Sequence, residues 1–567
     1  MRILPVNISH VGVIRPLKET KEPVTTPVFK PEPPVATTDI SFGTLKIQKQ
    51  PIKITTQKAK QVAESLSTST SGHRAKYGSQ DFNKPLVKLL TLGVASYVMD
   101  NLQYSEEPPK VLIGGDTREA SRKCLPMIND VLRRQAIDVL YIKDPIPTPL
   151  HAMAARDLKV DLAILMTASH NPWTDGGYNL VTKAGAIAPT EVTQKVANHV
   201  NNVAERGSYY ELMNPVGKSI NTNPYELYKK KINSYGLIDW QKIKDSGLTV
   251  QYDSLHGTGS YVLPKLLNEY GIDFNEVVSF GQEGPNPTSK NLEELKKAVV
   301  NSPAELKIGL ANDGDADRFG VVDEKGNFIN ANDVILLVGH HLAKNHNRRG
   351  AIIRSQATSM QVDAIAKMYG LDVIETPVGF KYIGEDIIDL RNKGKDILVA
   401  GEESGGLTIN GHIPEKDGII ALLTIMDLVA TEKKPISEIL KEVKSSLPIN
   451  VVPDNYSVRL NDDESKAKLM AKAQELFDNA QAGNNKFGDK HFIDAEKSLS
   501  HKEEMERYKK GGDGIKLFLN DGSSVLIRKS GTEPLVKFYI ESVGANEAEA
   551  IANKDILRSV MDSIFTA

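Results

Sequence analysis

The sequence is poor in cysteine: Cys124 stands alone among 567 residues. That excludes an intramolecular disulfide framework and any site built from two thiols of this chain. It fits a reducing compartment, and the reading is cytoplasmic. No run of about 18 apolar residues exists, so no membrane span is predicted. The best apolar stretch, Ile419 to Ala430, is broken by Asp427 and reads as a core helix. A charge excess is also missing: 70 basic against 72 acidic residues leaves a net −2. A protein that grips nucleic acid needs a basic surplus, so no nucleic-acid partner is expected. What remains is ordinary for a soluble globular chain, with 40% hydrophobic and 25% charged residues. At ~150 residues per domain, the length predicts roughly four domains.

Residues 1–57 stand apart, with eight prolines from Pro5 to Pro51 and almost no helical periodicity. Proline fixes φ and removes a donor, so this segment is read as a disordered extension or a sorting tail. Its start lacks the continuous apolar core of a secretory signal. Beyond it, strand-like runs alternate with helical stretches, which predicts parallel sheets with helical crossovers. Val111–Gly114, Val139–Ile142 and Leu162–Met166 fall in a first α/β domain, residues 58–218. Leu248–Tyr252, Val277–Phe280 and Ile308–Ala311 fall in a second, residues 219–328. Ala351–Ile353, Val373–Glu375 and Ile397–Ala400 fall in a third, residues 329–448. Residues 449–567 lose this rhythm. Asn520-Asp521-Gly522 between two apolar runs signals a hairpin, and a strand Leu535–Val543 and a final helix Glu547–Ile564 complete a smaller α+β domain.

Four polar loops carry the chemistry. Thr167-Ala168-Ser169-His170-Asn171-Pro172 follows Leu162–Met166, at the strand end where α/β ligands bind. Ser169 there is predicted to be exposed and able to act as a nucleophile. The alternative is a turn whose Ser and Asn bond to backbone amides before the proline. His170, adjacent in sequence, is poor geometry for a triad base. Asp313-Gly314-Asp315-Ala316-Asp317-Arg318 offers three hard oxygen ligands at alternate positions, which suits Mg²⁺ or Ca²⁺. An EF-hand would place ligands at Asp313, Asp315, Asp317 and Glu324, but Arg318 stands where that loop needs glycine and the flanks read as strands. A solvated acidic turn is the plainer alternative. Gly401-Glu402-Glu403-Ser404-Gly405-Gly406 can bring backbone and carboxylates close to hydroxyls, or be a plain glycine-rich turn. Arg528-Lys529-Ser530-Gly531-Thr532 is a phosphate cradle or a basic turn. Together the loops suit phosphoryl transfer on a phosphorylated polyhydroxy substrate.

These residues resemble the α-D-phosphohexomutase superfamily of phosphoglucomutases and phosphomannomutases, in order and approximate spacing, over about residues 65–567. Ser71-Gly72-His73-Arg74, Pro147-Thr148-Pro149, Glu375 to Lys381 and Pro414-Glu415-Lys416-Asp417-Gly418 add to the likeness. The resemblance implies an α/β fold of three successive similar domains plus a C-terminal α+β domain like the TATA-binding protein, around a central cleft. It implies an intramolecular phosphotransferase that interconverts glucose 1-phosphate and glucose 6-phosphate. Ser169 would be the phosphoserine, and its phosphate would complete an Mg²⁺ site on Asp313, Asp315 and Asp317. Glucose 1,6-bisphosphate would be intermediate and activator. Arg74 and Arg318 would flank the reacting phosphate. Glu402, Ser404 and Thr358 would meet the sugar, and Arg528, Lys529, Ser530, Gly531 and Thr532 would hold the other phosphate. The substrate partner is a small phosphosugar, and the chain is a monomer or homodimer.

Two positions depart from the pattern. Asn179 stands where many members carry lysine, and Gly406 where some carry histidine. Lys381 is therefore the expected proton carrier, with His170 second and Lys183 behind them. Glucosamine-handling members usually have Gln where this chain has Glu403, which favours glucose. Mannose or dual specificity is the alternative, and a non-catalytic binding homologue a further one. Cys124 reads as buried in a helix. Trp173 lies near enough in sequence to shape the Ser169 loop. His340, His341 and His346 are not spaced i, i+4, so no metal role is expected of them.

Overall fold

A computed structural model describes residues 40–42, 45–69, 72–101, 107–279, 284–460, 462–482, 486–487, 490–497, 514–529 and 535–565. The chain forms two compact units, one of Met1–Tyr228 with His256–Val262 and Gln282–Asn286, and one of the remainder.

In the first unit a six-stranded sheet runs His73–Lys76, Asp175–Thr182, Leu162–Met166, Lys110–Gly115, Asp138–Tyr141 and Ser219–Asn221 from edge to edge. The last four are parallel and the first two antiparallel. The central strands Leu162–Met166 and Lys110–Gly115 are almost entirely buried, as parallel strands covered on both faces must be. Helix Glu119–Arg134 buries Cys124, Ile128 and Leu132 against them, in one core with helices Thr56–Thr68 and Lys84–Asn101. Ser219–Asn221 thus closes the first sheet rather than opening the second domain, because it pairs in parallel with Asp138–Tyr141.

The expectation for residues 1–57 is corrected over part of its length. Leu45–Pro51 is a strand paired antiparallel with Ser208–Leu212, and Ile40–Phe42 pairs with it in turn. Ile47 packs with Ala136 and Leu212. Pro51 sits at the strand's end, where its missing donor costs least. Residues 1–39 lie outside the described residues.

The second unit holds three sheets. Phe274–Val277, Thr249–Asp253 and Lys307–Asn312 are parallel, and Phe319–Val322 and Phe328–Ile329 extend them antiparallel. The strand predicted at Val277–Phe280 lies three residues earlier. Gly271, at φ +68°, turns the chain straight into an edge strand whose side chains are half exposed, so no buried apolar run marks it. Val373–Thr376, Ala351–Ser355 and Ile397–Glu402 are parallel, with Gly406–Ile409 antiparallel beside them. The apolar run at Ile419 lies in helix Gly418–Glu432, buried from Gly418 to Ala430. The C-terminal sheet is antiparallel and includes the expected hairpin, Gly514–Leu519 with Ser524–Lys529. Helices Asp463–Gln481 and Glu547–Phe565 share one core with it. No helix among the described residues is long and apolar enough to cross a membrane.

Candidate active site

The Ser169 loop leaves the buried strand Leu162–Met166 and doubles back at once, with Ser169 at φ +50°. A left-handed non-glycine residue is strained unless its surroundings fix it. Here the Ser169 amide donates to Thr167 Oγ1 at 2.8 Å, and the Asn171 amide to the Ala168 carbonyl at 3.0 Å. Buried Arg118 donates to the carbonyls of Ser169, Asn171 and Pro172, all within 2.7 Å. Asp116, itself buried, holds that guanidinium through Nε at 2.9 Å. Arg74 Nη1 reaches the Ala168 carbonyl at 3.3 Å. Gly177 lets the neighbouring strand pass, since a Cβ there would lie 1.9 Å from the Thr167 carbonyl oxygen.

Two expectations change. Ser169 is 2% exposed rather than open to solvent. His170, despite its adjacency, places Nδ1 3.3 Å from Ser169 Oγ. The left-handed turn is what brings neighbouring side chains to one side. Asn179 donates to the Thr167 carbonyl at 2.8 Å and so supports the loop from behind. Trp173 stacks near the Arg118 guanidinium, 5.1 Å from carbon to ring centre.

In the second unit Asp313, Asp315 and Asp317 are all buried, with one carboxylate oxygen from each inside a span of 4.8 Å. Burial and the neighbouring aspartates raise the carboxyls of Asp313 and Asp317 above their ordinary range. Asp317 Oδ1 is buried with no hydrogen-bond donor, and Arg318 Nε lies 4.0 Å from it. Three convergent hard oxygens whose negative charge is only partly offset by neighbouring cations fit a divalent cation of the Mg²⁺ type. Arg318 also lies 3.9 Å from Asp313, and its amide donates to Asp313 Oδ1 at 3.0 Å.

The Gly401–Gly406 loop is pinned to this acidic loop. The Phe319 amide donates to the Gly405 carbonyl at 2.9 Å, and Arg318 bridges Gly406. The Gly418 amide donates to the Ala316 carbonyl at 3.1 Å. Gly418 has to be glycine, because a Cβ would lie 2.3 Å from the Arg318 carbonyl oxygen. Glu402 is buried and accepts from the Gly379 amide at 2.8 Å, two residues before Lys381 in the chain. Burial and Glu403 push the Glu402 carboxyl up to about 7, against the pull of Lys416, that amide and Arg318. Thr358 Oγ1 donates to the Gly401 carbonyl at 3.3 Å and accepts from the Glu403 amide at 3.2 Å, so it positions the loop. Ser404 is exposed and Lys381 buried. Arg528 and the two glutamates all act on the buried Tyr539 hydroxyl. Lys529 is exposed at its strand's end, while Ser530, Gly531 and Thr532 lie outside the described residues.

Sequence reasoning assigned no role to Arg118 or Lys416. Lys416 Nζ meets Asp317 Oδ2 at 2.7 Å. Burial pulls its ammonium down, but Asp317 and Glu415 hold it well above the ordinary lysine range. The Pro414 to Gly418 stretch carried the signal without the role. His341 and His346, dismissed on spacing, meet Asp427 within 4.8 Å.

Acidic loop, glutamate loop and strained serine, each at a strand end of an α/β sheet, define an enzyme of phosphoryl transfer. The chain belongs to the phosphoglucomutase/phosphomannomutase family, whose members are phosphohexomutases and so intramolecular phosphotransferases. The family's alpha/beta/alpha domains I, II and III match residues 65–207, 226–326 and 330–446, and its C-terminal domain matches 464–555. A phosphoglucosamine mutase of Carboxydothermus hydrogenoformans is 27% identical over 456 residues, which is 79% of this chain and 89% of that protein. One from Nitratidesulfovibrio vulgaris is 30% identical over 342 residues, 58% of this chain and 72% of that protein. In fold, the chain is similar to the phosphoglucomutase parafusin of Paramecium in its open form. The TM-score is 0.74 at 19% identity, covering 92% of this chain and 96% of that one. A putative phosphomannomutase of Thermus thermophilus gives 0.68 at 23% identity, covering 88% and 99%.

Proposed function

We propose that the enzyme interconverts glucose 1-phosphate and glucose 6-phosphate through a phosphoserine at Ser169. The observation that supports it most is the pinning of the acidic loop to the Glu402–Gly406 loop by backbone hydrogen bonds. Charge on a transferring phosphoryl group and hydroxyls of a sugar then meet groups held in one rigid frame.

In the forward direction the phosphoserine P–O bond breaks, and a new P–O bond forms to the free hydroxyl of the bound hexose phosphate. That hydroxyl loses its proton to a base, and Ser169 recovers an alkoxide oxygen that takes one up. The bisphosphate then turns and returns its other phosphoryl group to Ser169. Asp313, Asp315 and Asp317 would hold Mg²⁺, which supplies Lewis-acid stabilisation of phosphoryl charge when bound. Arg318 and Lys416 add fixed positive charge beside the acidic loop. Arg74 and His170 serve the serine side. Lys381, buried and two residues past the Gly379 amide that holds Glu402, is the proposed proton carrier, with His170 second. Arg528 and Lys529, with the Ser530–Thr532 stretch, are proposed to hold the phosphate that stays in place.

Lys416 and Arg318 already act on Glu402. The pair Glu402–Glu403 is thereby partly matched in charge, which suits a neutral 2-hydroxyl better than an ammonium. A second reading, glucosamine phosphate as substrate, is favoured by the names of the curated relatives. Turnover of the 1-phosphates of glucose, mannose and glucosamine, each with Mg²⁺ and catalytic bisphosphate, separates them. Glucose is expected to be fastest. Faster glucosamine turnover overturns the substrate assignment alone, while no turnover of any sugar overturns the whole reading.

A further inference from the structure

A second convergent cluster lies in the second unit, apart from the acidic loop. Helix Ala331–Lys344 carries His341, and the chain turns at Asn345, so His346 comes back over the helix end. Helix Gly418–Glu432 supplies Asp427, ten residues past the cap Asp417, or about 15 Å along the helix axis. His341 Nε2 lies 2.9 Å from Asp427 Oδ2, His346 Nε2 lies 3.1 Å from the same oxygen, and the two nitrogens are 3.1 Å apart. The two rings are nearly perpendicular, at 86°. His341 and Asp427 are buried, and only the His346 side chain, 15% exposed, opens the cluster to solvent.

Without a cation, the two imidazole nitrogens and the Asp427 oxygen share protons among three atoms that all lie within 3.1 Å of one another. We propose instead that His341, His346 and Asp427 bind a first-row divalent transition cation of the zinc, cobalt or ferrous class. The three atoms form a nearly equilateral triangle. A cation about 2.1 Å from each would stand about 1.2 Å above its plane with ligand angles of about 90°. That is one face of a coordination shell, with the remaining positions left to water on the His346 side. Two imidazoles and one carboxylate suit such a cation better than magnesium, which prefers oxygen ligands.

Surrounding groups orient the Asp427 and His341 side chains. Asp427 Oδ1 accepts from the Asp239 amide at 2.8 Å, which aims Oδ2 at the imidazoles. Asn345 Nδ2 meets His341 Nδ1 at 3.0 Å and Glu432 Oε1 at 3.0 Å. Asn345 Nδ2, held on the Glu432 carboxylate, donates to Nδ1 and keeps the proton of metal-free His341 on Nε2; a cation there displaces that proton to Nδ1, and Asn345 gives up this contact while keeping Glu432. Lys344, 3.0 Å from Glu432, keeps that carboxylate partnered. The cation would clasp the end of one helix to the middle of another.

The test uses the full chain without a histidine tag, stripped of metal and held in saturating Mg²⁺, then titrated with cobalt(II). One equivalent per chain is expected, with a visible absorption band that zinc(II) displaces. His346→Ala should weaken cobalt binding by at least about 100-fold. His346→Gln, which keeps a donor to Asp427 and guards against misfolding, should do the same. Asp315→Asn should leave the band intact. Absence of a band in wild type overturns the site. So does unchanged binding in either His346 variant, or loss of the band in Asp315→Asn alone.

Discussion

The Ser169 loop and the Asp313–Asp317 loop leave the ends of parallel strands by the same kind of turn. Each passes through a left-handed residue that is not glycine, Ser169 at φ +50° and Ala316 at φ +55°. Their electrostatics are opposite. The serine loop is closed by Arg118, whose charge is matched by Asp116 and whose donors meet loop carbonyls. The acidic loop gathers three buried carboxylates whose charges oppose one another, with Lys416 and Arg318 offsetting them only in part. One loop is complete as folded; the other is arranged for a cation that lowers its energy on arrival.

The largest expected effect is on the serine. Ser169→Ala removes the proposed acceptor of the phosphoryl group but none of the Arg118 contacts, which go to main-chain carbonyls. Mutase turnover should fall by at least about 10⁴-fold, with thermal stability changed by less than about 1 kcal/mol. Turnover within tenfold of wild type would break the assignment of the two loops to one reaction.

Asp315→Asn sharpens the contrast. It removes the charge that raises both Asp313 and Asp317. Turnover should drop about 10³-fold through loss of a cation ligand. Stability without metal should rise by about 1 kcal/mol as repulsion falls, and the gain in melting temperature on adding Mg²⁺ should shrink. Calorimetry with and without Mg²⁺ reads both. A metal-free variant less stable than wild type would mean that the acidic loop, too, is complete without a cation.

Arg118→Met probes the serine side by the opposite route. It strands buried Asp116 and takes donors from the loop carbonyls, so urea unfolding should show a loss of at least about 3 kcal/mol. The same experiment on the acidic loop stabilises; this one destabilises, and the sign is the test.

The two loops also differ in how far the sequence betrays them. Asp313, Asp315 and Asp317 are neighbours in the chain, so their convergence needs only a turn, and the residue types name the chemistry. Ser169 was legible as a loop residue, but its burial was not, because Arg118 lies 51 residues away and reads as the start of a helix. Lys416 comes from 99 residues beyond Asp317, after the last strand of a different sheet and just before the buried helix Gly418–Glu432. His341, His346 and Asp427 fail every spacing rule because the helix ends at Lys344 and the third ligand belongs to another helix. Alternation and turn chemistry placed most of the parallel strands of the three α/β sheets and the C-terminal hairpin. They missed Leu45–Pro51, whose proline and lysines hid the middle strand of a three-stranded sheet, and the antiparallel strands Asp175–Thr182 and Gly406–Ile409, and they displaced the half-exposed edge strand Phe274–Val277.

The smallest effect isolates the turn itself. Ala316 is fully buried, and its carbonyl accepts from Gly418. Holding alanine at φ +55° costs about 1 kcal/mol or more, which Ala316→Gly relieves. The same change frees the unfolded chain by about 0.4–1 kcal/mol and gives up a buried methyl of about 0.8 kcal/mol. The terms nearly cancel, so stability should move by less than about 1 kcal/mol, with turnover kept within a few-fold. A loss above about 2 kcal/mol would show that the methyl's packing, rather than the left-handed turn, holds the acidic loop. The likeness between the two loops would then be one of backbone shape alone.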